Sequence, residues 1–137
     1  MLKDFLSDEK FCELTRGYVQ GAIELLLEKN CEFGIVTKPQ NVEFNPPLPS
    51  EIMKGFSAPV ILFELANYTL QSAHVQEGKL IFEAGFGAED FASTLSVECA
   101  AILQILIESK PVLANFSLQN SEKQKRERSQ SIFKKKD

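Results

Sequence analysis

The sequence has few of the residues from which metal and disulfide sites are built. It contains one histidine, His74, and three cysteines, Cys12, Cys31 and Cys99, with no C-x-x-C pair and no zinc-finger spacing. A zinc or iron site needs several His or Cys ligands close together, so we predict no metal. Three cysteines without such spacing are typical of a protein in a reducing compartment, and we interpret them as core thiols.

The chain also lacks a long hydrophobic run. No segment approaches the roughly 20 apolar residues that span a bilayer, and residues 1–4 lack the apolar stretch of a signal peptide. We therefore expect a cytoplasmic protein without a transmembrane segment. Its 137 residues, 44% of them hydrophobic and eleven of them Phe, suffice for one domain with a sizeable core.

Basic residues are concentrated at the C-terminal end. Residues 120–137 hold seven Lys or Arg against three Asp or Glu, a balance of +4, so with a net charge of −4 residues 1–119 carry −8. This acidity argues against nucleic-acid binding by the folded domain, residues 1–119. Residues 120–137, whose apolar residues are Ile132 and Phe133, predict a disordered basic tail. Such a tail is either merely solvated or has an anionic partner for Lys134-Lys135-Lys136.

The segment between residues 59 and 74 is almost wholly apolar. Its few polar residues lie three, four and three positions apart: Glu64, Asn67, Gln71 and His74. At about 100° per residue this spacing places them on one side of a helix. We predict a long, buried central helix with one polar seam. A strand is the competing interpretation, because the segment contains several β-forming residues, but Pro59 and the length of the apolar run favour the helix. A buried carboxylate and amide need partners, so the seam indicates a site, unless it is simply the wetted face of the helix.

The rest of the sequence predicts one more helix and several strands. An N-cap signal at Ser7-Asp8-Glu9 precedes an amphipathic helix that ends near Asn30. Residues 32–37 and 41–45 predict a hairpin, and residues 50–56 a loop or short helical turn. Alternating apolar residues predict strands over 80–86, 95–107 and 112–118, the last two forming a second hairpin; a helix over 98–106 remains the alternative.

This order of elements predicts an α+β protein with an antiparallel sheet curled around the central helix. Such a sheet leaves an exposed edge strand, and pairing across a two-fold axis removes that hazard. We therefore expect a homodimer. The layout resembles the hot-dog fold of acyl-thioester thioesterases, dehydratases and acyl-CoA-binding regulators.

Two variants of the hot-dog family share short motifs with Leu62-Phe63-Glu64-Leu65-Ala66-Asn67. Hot-dog thioesterases carry Leu-Ala-Asp after a His-Gly-Gly entry, whereas here Asn67 takes the Asp position and Ala58-Pro59-Val60 stands at the entry. The malonyl-CoA-sensing repressor of bacterial lipid synthesis has Leu-Phe and Ala-Asn at the same spacing in its ligand-binding domain. The chain also resembles a small virulence-associated bacterial hot-dog protein.

The resemblance implies a homodimer that binds a fatty acyl thioester, as acyl-CoA, in a tunnel at its interface. The thioester end would meet Glu64 and Asn67, beside Phe63 and Gln71 of the same predicted helix. The pantetheine arm would run beside residues near a strand end: Gly85, Phe86, Gly87 and Phe91. Because Asn67 is not a base, we expect a sensor or binding module with coenzyme A thioester as ligand and no further cofactor. The alternatives are a thioesterase that uses Glu64 as base and Asn67 as carbonyl donor, and a structural scaffold.

Overall fold

A computed structural model of the chain describes residues 1–119. The predicted basic tail, residues 120–137, lies outside the described residues. The helices are α1 Leu2–Leu6, α2 Glu9–Glu28, α3 Ser50–Met53 and α4 Asn67–Ser72. Short 3₁₀ turns lie at Pro39–Asn41, Lys54–Phe56 and Cys99–Ala101.

Two four-stranded antiparallel sheets form the body of the protein. The strands are β1 Phe33–Thr37, β2 Val42–Asn45, β3 Ile61–Leu65, β4 His74–Gln76, β5 Lys79–Phe86, β6 Phe91–Glu98, β7 Gln104–Ile107 and β8 Lys110–Ala114. The order is β3-β1-β7-β8 in the first sheet, which we call sheet A, and β2-β6-β5-β4 in the second, sheet B. All strand pairs are antiparallel.

The core lies between the inner faces of the two sheets and is closed by α2. Strand residues alternate between buried and more exposed positions, as in Leu80, Phe82, Leu95 and Val97 of sheet B. The larger set of buried residues includes Phe33, Ile35, Phe63, Leu65 and Ile105 of sheet A, and Val19 and Ile23 of α2. The sequence-based prediction of core thiols is confirmed for Cys12 and Cys99, whereas Cys31 is half-buried.

The predicted N-terminal helix is confirmed as α2, with its cap one residue later than expected. The Asp8 carboxylate, not the Ser7 hydroxyl, accepts the Phe11 backbone N–H at 3.1 Å. A carboxylate at this position also interacts favourably with the helix dipole. The short helical turn expected at residues 50–56 is confirmed as α3 and the 3₁₀ turn that follows it.

The prediction of a long central helix over residues 59–74 is wrong. The polar seam is divided among three elements: Glu64 lies in β3, Asn67 and Gln71 in α4, and His74 in β4. Ile61 and Phe63 are β-forming residues, and Phe63 and Leu65 are buried while Leu62 and Glu64 are exposed. This period of two is that of a strand, and the helical spacing of the polar residues is a coincidence across a turn.

Two strand predictions also need correction. β1 and β2 do not pair, because the 3₁₀ turn at Pro39–Asn41 takes the chain from sheet A to sheet B. The predicted strand over 95–107 is interrupted by the turn at Cys99–Ala101, so β6 belongs to sheet B and β7 to sheet A. The hairpin of the last two predicted strands is confirmed as β7 and β8.

The α+β class with antiparallel sheets is therefore confirmed. The one long helix among residues 1–119 is α2, so the central helix that the hot-dog resemblance implies is not found at residues 59–74. Within the described part of the chain, no helix combines the length and the apolar character needed to cross a bilayer.

Candidate functional site

Five phenylalanines form one contiguous cluster, which we call the Phe cluster: Phe44, Phe56, Phe63, Phe82 and Phe86. Neighbouring ring centroids are 5.9–6.4 Å apart, mostly in edge-to-face arrangements. Phe63 and Phe82 are buried, whereas Phe44, Phe56 and Phe86 are half-buried. The cluster joins both sheets and the 3₁₀ turn after α3. It brings together two of the predicted ligand-binding residues, Phe63 and Phe86.

The hairpin of β5 and β6 contains the other predicted channel residues, Gly85, Gly87 and Phe91. Gly87 has φ 76°, and a Cβ there would lie 3.3 Å from the Ile52 Cδ1. A Cβ on Gly85 would collide with the Asp90 carboxylate. Phe91 lies opposite Phe86 across the hairpin. Turn geometry and close packing therefore account for both glycines without a ligand.

The predicted thioester-contacting residues are not gathered around the Phe cluster. Glu64 projects from the opposite face of β3 to Phe63, because consecutive strand residues point to opposite sides. Asn67 is exposed, at a φ of 52°, in the left-handed region that Asn tolerates better than most residues. Gln71 is exposed on α4. Glu64 and Asn67 thus lie on the protein surface.

A different carboxylate contact is made next to these residues. The Tyr68 hydroxyl donates to the Glu83 carboxylate, and this hydrogen bond raises the pKa of Tyr68. The Ser72 hydroxyl accepts the Glu83 backbone N–H at 2.9 Å. These contacts attach α4 to β5, so we assign Tyr68 and Ser72 a structural role.

Strand β3 has one open side. Val36 accepts the Leu103 N–H at 2.8 Å and so directs its backbone groups toward β7. Successive residues of a strand direct their backbone N–H and C=O groups to alternate sides. Ile35 therefore directs its N–H and C=O toward β3, where Phe63 lies opposite. The N–H and C=O groups of Leu62 and Glu64 consequently point away from β1. Nothing within residues 1–119 forms a hydrogen bond with them.

The outer face of sheet A, which begins at this open side, is mainly apolar. Leu62 lies beside Val36, and Gly34 lies between Glu64 and Leu106. Leu62 is 48% exposed, and its Cδ1 and the Glu64 carboxylate closely cover Gly34. An unpaired strand edge next to exposed apolar side chains is a surface that can accept another strand.

An acidic cleft borders this face. Its volume is about 330 Å³, and its lining residues come from the ends of β1, β3 and β7: Cys31, Glu32, Phe33, Glu64, Ile107, Glu108 and Ser109. Three of these residues carry carboxylates, and no Lys or Arg of residues 1–119 forms an ion pair with them. The cleft therefore suits a cationic group with an apolar stem.

A second cleft of about 440 Å³ lies elsewhere and has mixed charge. Arg16 and Lys79 contribute positive charge to it, and Glu43, Glu77 and Glu98 contribute negative charge. Neither cleft includes a ring of the Phe cluster. Within residues 1–119 no group of three or more His, Cys, Asp or Glu residues is arranged to hold a metal ion.

Comparison with known proteins adds no relative: no protein-family model matches the sequence, and no curated protein is similar to it at a significant level. The function must therefore be inferred from the site itself. The sequence analysis preferred a helix here and so missed the open side of β3, although the β-forming residues Val60, Ile61 and Phe63 favoured a strand.

Proposed function

We propose that the protein is a non-catalytic binding module that accepts an extended polypeptide segment as an added strand on β3. The observation that supports this most is the open side of β3, where Leu62 and Glu64 offer two N–H donors and two C=O acceptors. In β-strand addition, main-chain hydrogen bonds supply affinity, and side-chain positions on alternate residues supply specificity.

The side chains around β3 favour a segment in which an apolar residue and a basic residue lie two positions apart, in either order. Leu62 and Glu64 occupy adjacent positions on the same face of β3. Val60, two residues before Leu62, adds an exposed apolar side chain on the N-terminal side and is 43% exposed. Glu64 extends it into the acidic cleft.

A designed peptide tests this function. The probe peptide, Thr-Val-Thr-Lys-Thr-Val-Thr with an N-terminal fluorescein and an amidated C-terminus, places Val beside Leu62 and Lys beside Glu64 in either strand direction. We expect saturable binding by fluorescence anisotropy. Because a strand bonds its neighbour through alternate residues, methylating the backbone nitrogens of one alternate set should reduce affinity at least tenfold. Methylating the other set should leave the affinity within about twofold of that of the unmethylated probe.

The two methylated peptides have the same amino-acid sequence and serve as controls for each other. Equal affinities for both would show that the contact is made by side chains alone and would contradict strand addition. No binding of the unmethylated probe, in a protein whose far-ultraviolet circular dichroism shows it to be folded, would contradict the proposed function itself.

A fatty acyl thioester is the second candidate ligand, as the hot-dog resemblance implies. It is favoured by the Phe cluster, where three half-buried rings offer an apolar surface for an acyl chain. The acidity of residues 1–119 opposes coenzyme A phosphates. Native mass spectrometry with a panel of acyl-CoAs, together with a free-thiol assay, distinguishes an acyl-CoA sensor from a thioesterase. Bound acyl-CoA without thiol release would support a sensor. Thiol release lost in Glu64→Ala would support a thioesterase.

We also propose that the chain forms a homodimer, through α2 rather than through a sheet edge. Leu14, Tyr18 and Leu25 are exposed along one side of this helix, and Tyr18 is 62% exposed. Gly17 and Gly21 have open space where a Cβ would be, which permits close approach of a second helix. Replacing Tyr18 by Glu should convert a dimer to a monomer in sedimentation velocity, whereas Glu13→Gln should not. A wild-type monomer at 100 µM, as an order-of-magnitude concentration, would contradict this proposal.

A further inference from the structure

The larger of the two clefts, which we call the mixed-charge cleft, lies at one end of sheet B. Its volume of about 440 Å³ is within the usual range of small-molecule sites. Its lining comes from α2, from the two 3₁₀ turns that join the sheets, from β2, β5 and β6, and from the turn between β4 and β5. No residue of β3 lines it, so the cleft is independent of the proposed function. The charged lining residues are Arg16, Glu43, Glu77, Lys79 and Glu98.

The strand register places four of the lining residues on the outer face of sheet B. Lys79 lies directly opposite Glu98 across β5 and β6, and Glu43 lies opposite Ser96 across β2 and β6. Ser96 and Glu98 are two positions apart and therefore share one face of β6. Side chains directly opposite each other in such a pair have Cβ atoms about 4.5–5.5 Å apart. An ammonium and two carboxylates thus occupy adjacent or diagonal positions on this face.

Arg16 is held at the cleft by side-chain hydrogen bonds. Its Nη2 donates to Gln119 Oε1 at 3.3 Å, and Gln119 Nε2 donates to the Cys12 backbone oxygen at 2.7 Å. A guanidinium has five N–H donors, and no carboxylate of residues 1–119 forms an ion pair with this one. Its remaining donors can therefore bind a carboxylate of a ligand, which a guanidinium accommodates through two parallel hydrogen bonds.

The opposite charges of the cleft do not neutralise one another. Lys79, like Arg16, forms no ion pair within residues 1–119, although Glu98 lies opposite to it. The three carboxylates exceed the two cationic groups by one negative charge. Within the described part of the chain, no aromatic or large aliphatic residue lines the cleft, and no group of acidic residues is arranged to hold a metal ion. The cleft therefore suits a small polar ligand with one carboxylate and two cationic groups.

We propose that the mixed-charge cleft binds a free basic α-amino acid, with lysine as the representative ligand. The α-carboxylate of the ligand contacts Arg16, and its two ammonium groups contact the carboxylates of Glu43 and Glu98. Lysine carries one net positive charge at neutral pH and so balances the excess negative charge of the lining. A ligand without the second ammonium leaves one carboxylate unpaired, and a diamine leaves Arg16 unpaired.

Titration of the full-length protein with three probes, followed in ¹⁵N–¹H correlation spectra, tests the site. Lysine carries all three charged groups, norleucine lacks the second ammonium, and cadaverine lacks the carboxylate. We expect lysine to bind at least tenfold more tightly than either of the others and to shift the amide signals of Lys79 and Glu98. Shifts confined to Glu32, Glu64 and Glu108 would indicate the acidic cleft and would overturn the inference. Absence of lysine binding at about 10 mM would also overturn it.

Three substitutions at exposed positions assign the contacts. Arg16→Gln should weaken lysine binding at least tenfold without weakening cadaverine binding, because cadaverine has no carboxylate. Glu98→Gln should weaken the binding of both ligands. Lys10→Gln makes the same charge change on α2, outside the cleft lining, and should leave lysine binding unchanged. Circular dichroism checks that each variant is folded. Equal losses of lysine and cadaverine binding in Arg16→Gln, or equal lysine binding in Arg16→Gln and Lys10→Gln, would contradict the inference.

Discussion

The two sheets present different outer faces to their surroundings. The outer face of sheet B is polar and includes Glu83, Thr94 and Ser96. These residues alternate along their strands with the buried Phe82, Leu95 and Val97. Sheet A places Val36, Leu62 and Leu106 on the corresponding side, together with the polar residues Glu64 and Gln104. A strand that is polar on one face is typical of a sheet with one solvated side, whereas a strand apolar on both faces is typical of a sheet covered on both sides. The comparison leads us to expect a covering partner on sheet A rather than on sheet B.

The largest expected effect concerns the two faces of β3. Phe63→Ala removes a buried ring that contacts Phe56, Phe82 and Phe86, and should lower the free energy of unfolding by about 3–5 kcal/mol. Leu62→Ala, one residue earlier on the outer face, should cost less than about 1 kcal/mol. Urea unfolding of both variants measures the contrast. Similar losses would show that the two faces of β3 are equally buried.

The next effect concerns the outer faces of the two sheets as binding surfaces. Leu62→Asp places a carboxylate beside Glu64 on the outer face of sheet A and should weaken probe-peptide binding at least tenfold, or about 1.4 kcal/mol. Thr94→Asp makes a comparable change on the outer face of sheet B and should leave the affinity unchanged. Fluorescence anisotropy measures both. Equal weakening by the two substitutions would mean that the probe does not distinguish the sheets.

A smaller effect is expected at the residue where β3 gives way to α4. Asn67 has φ 52°, and an alanine there lacks the side chain that tolerates this conformation, so Asn67→Ala should destabilise the protein by about 1 kcal/mol. Asn67→Gly should preserve stability. Thermal unfolding checks the pair, and probe binding should be unaffected in both. A loss of binding in the stable Asn67→Gly variant would restore Asn67 as a ligand-binding residue.

The smallest effect compares two cysteines, one at each sheet. Burial raises the pKa of Cys99, which follows β6 of sheet B, from 9.0 to about 11, while Cys31 at the cleft of sheet A is half-exposed. At pH 8 a thiol-specific reagent should therefore modify Cys31 well before Cys99 in the folded protein. The raised pKa means that the folded protein favours the neutral Cys99 thiol. The contribution of this thiol to the free energy of unfolding is therefore fully present below pH 9 and is lost as the pH rises through 11. Faster labelling of Cys99 would contradict its burial.

The contrast between the sheets also explains which parts of the fold can be predicted from the sequence. Strands of sheet B follow the alternation of apolar and polar residues, so β5 is evident from Leu80, Phe82, Ala84 and Phe86. Sheet A gives no such alternation, because Leu62 and Phe63 are both apolar although they point to opposite faces. A short apolar run does not distinguish a doubly covered strand from a buried helix.

The sequence pattern does not predict where the chain crosses from one sheet to the other, and the reason is different. At Pro39–Asn41 and Cys99–Ala101 a 3₁₀ turn moves the chain from one sheet to the other, while the apolar alternation continues on both sides of it. Which strand pairs with which is decided by packing of the whole chain. Packing of the whole chain also brings Phe63 into contact with Phe86, whereas Glu64 and Asn67 lie on the surface.

An isotope-filtered NMR experiment tests the account's central claim, that the open side of β3 accepts a strand. The ¹⁵N,¹³C-labelled full-length protein is saturated with unlabelled probe peptide, and nuclear Overhauser effects between protein amides and peptide protons are recorded. We predict contacts from the amides of Leu62 and Glu64 to backbone protons of the probe, with none from the amide of Phe63, which points toward β1. Contacts confined to the outer face of sheet B or to α2 would contradict the claim.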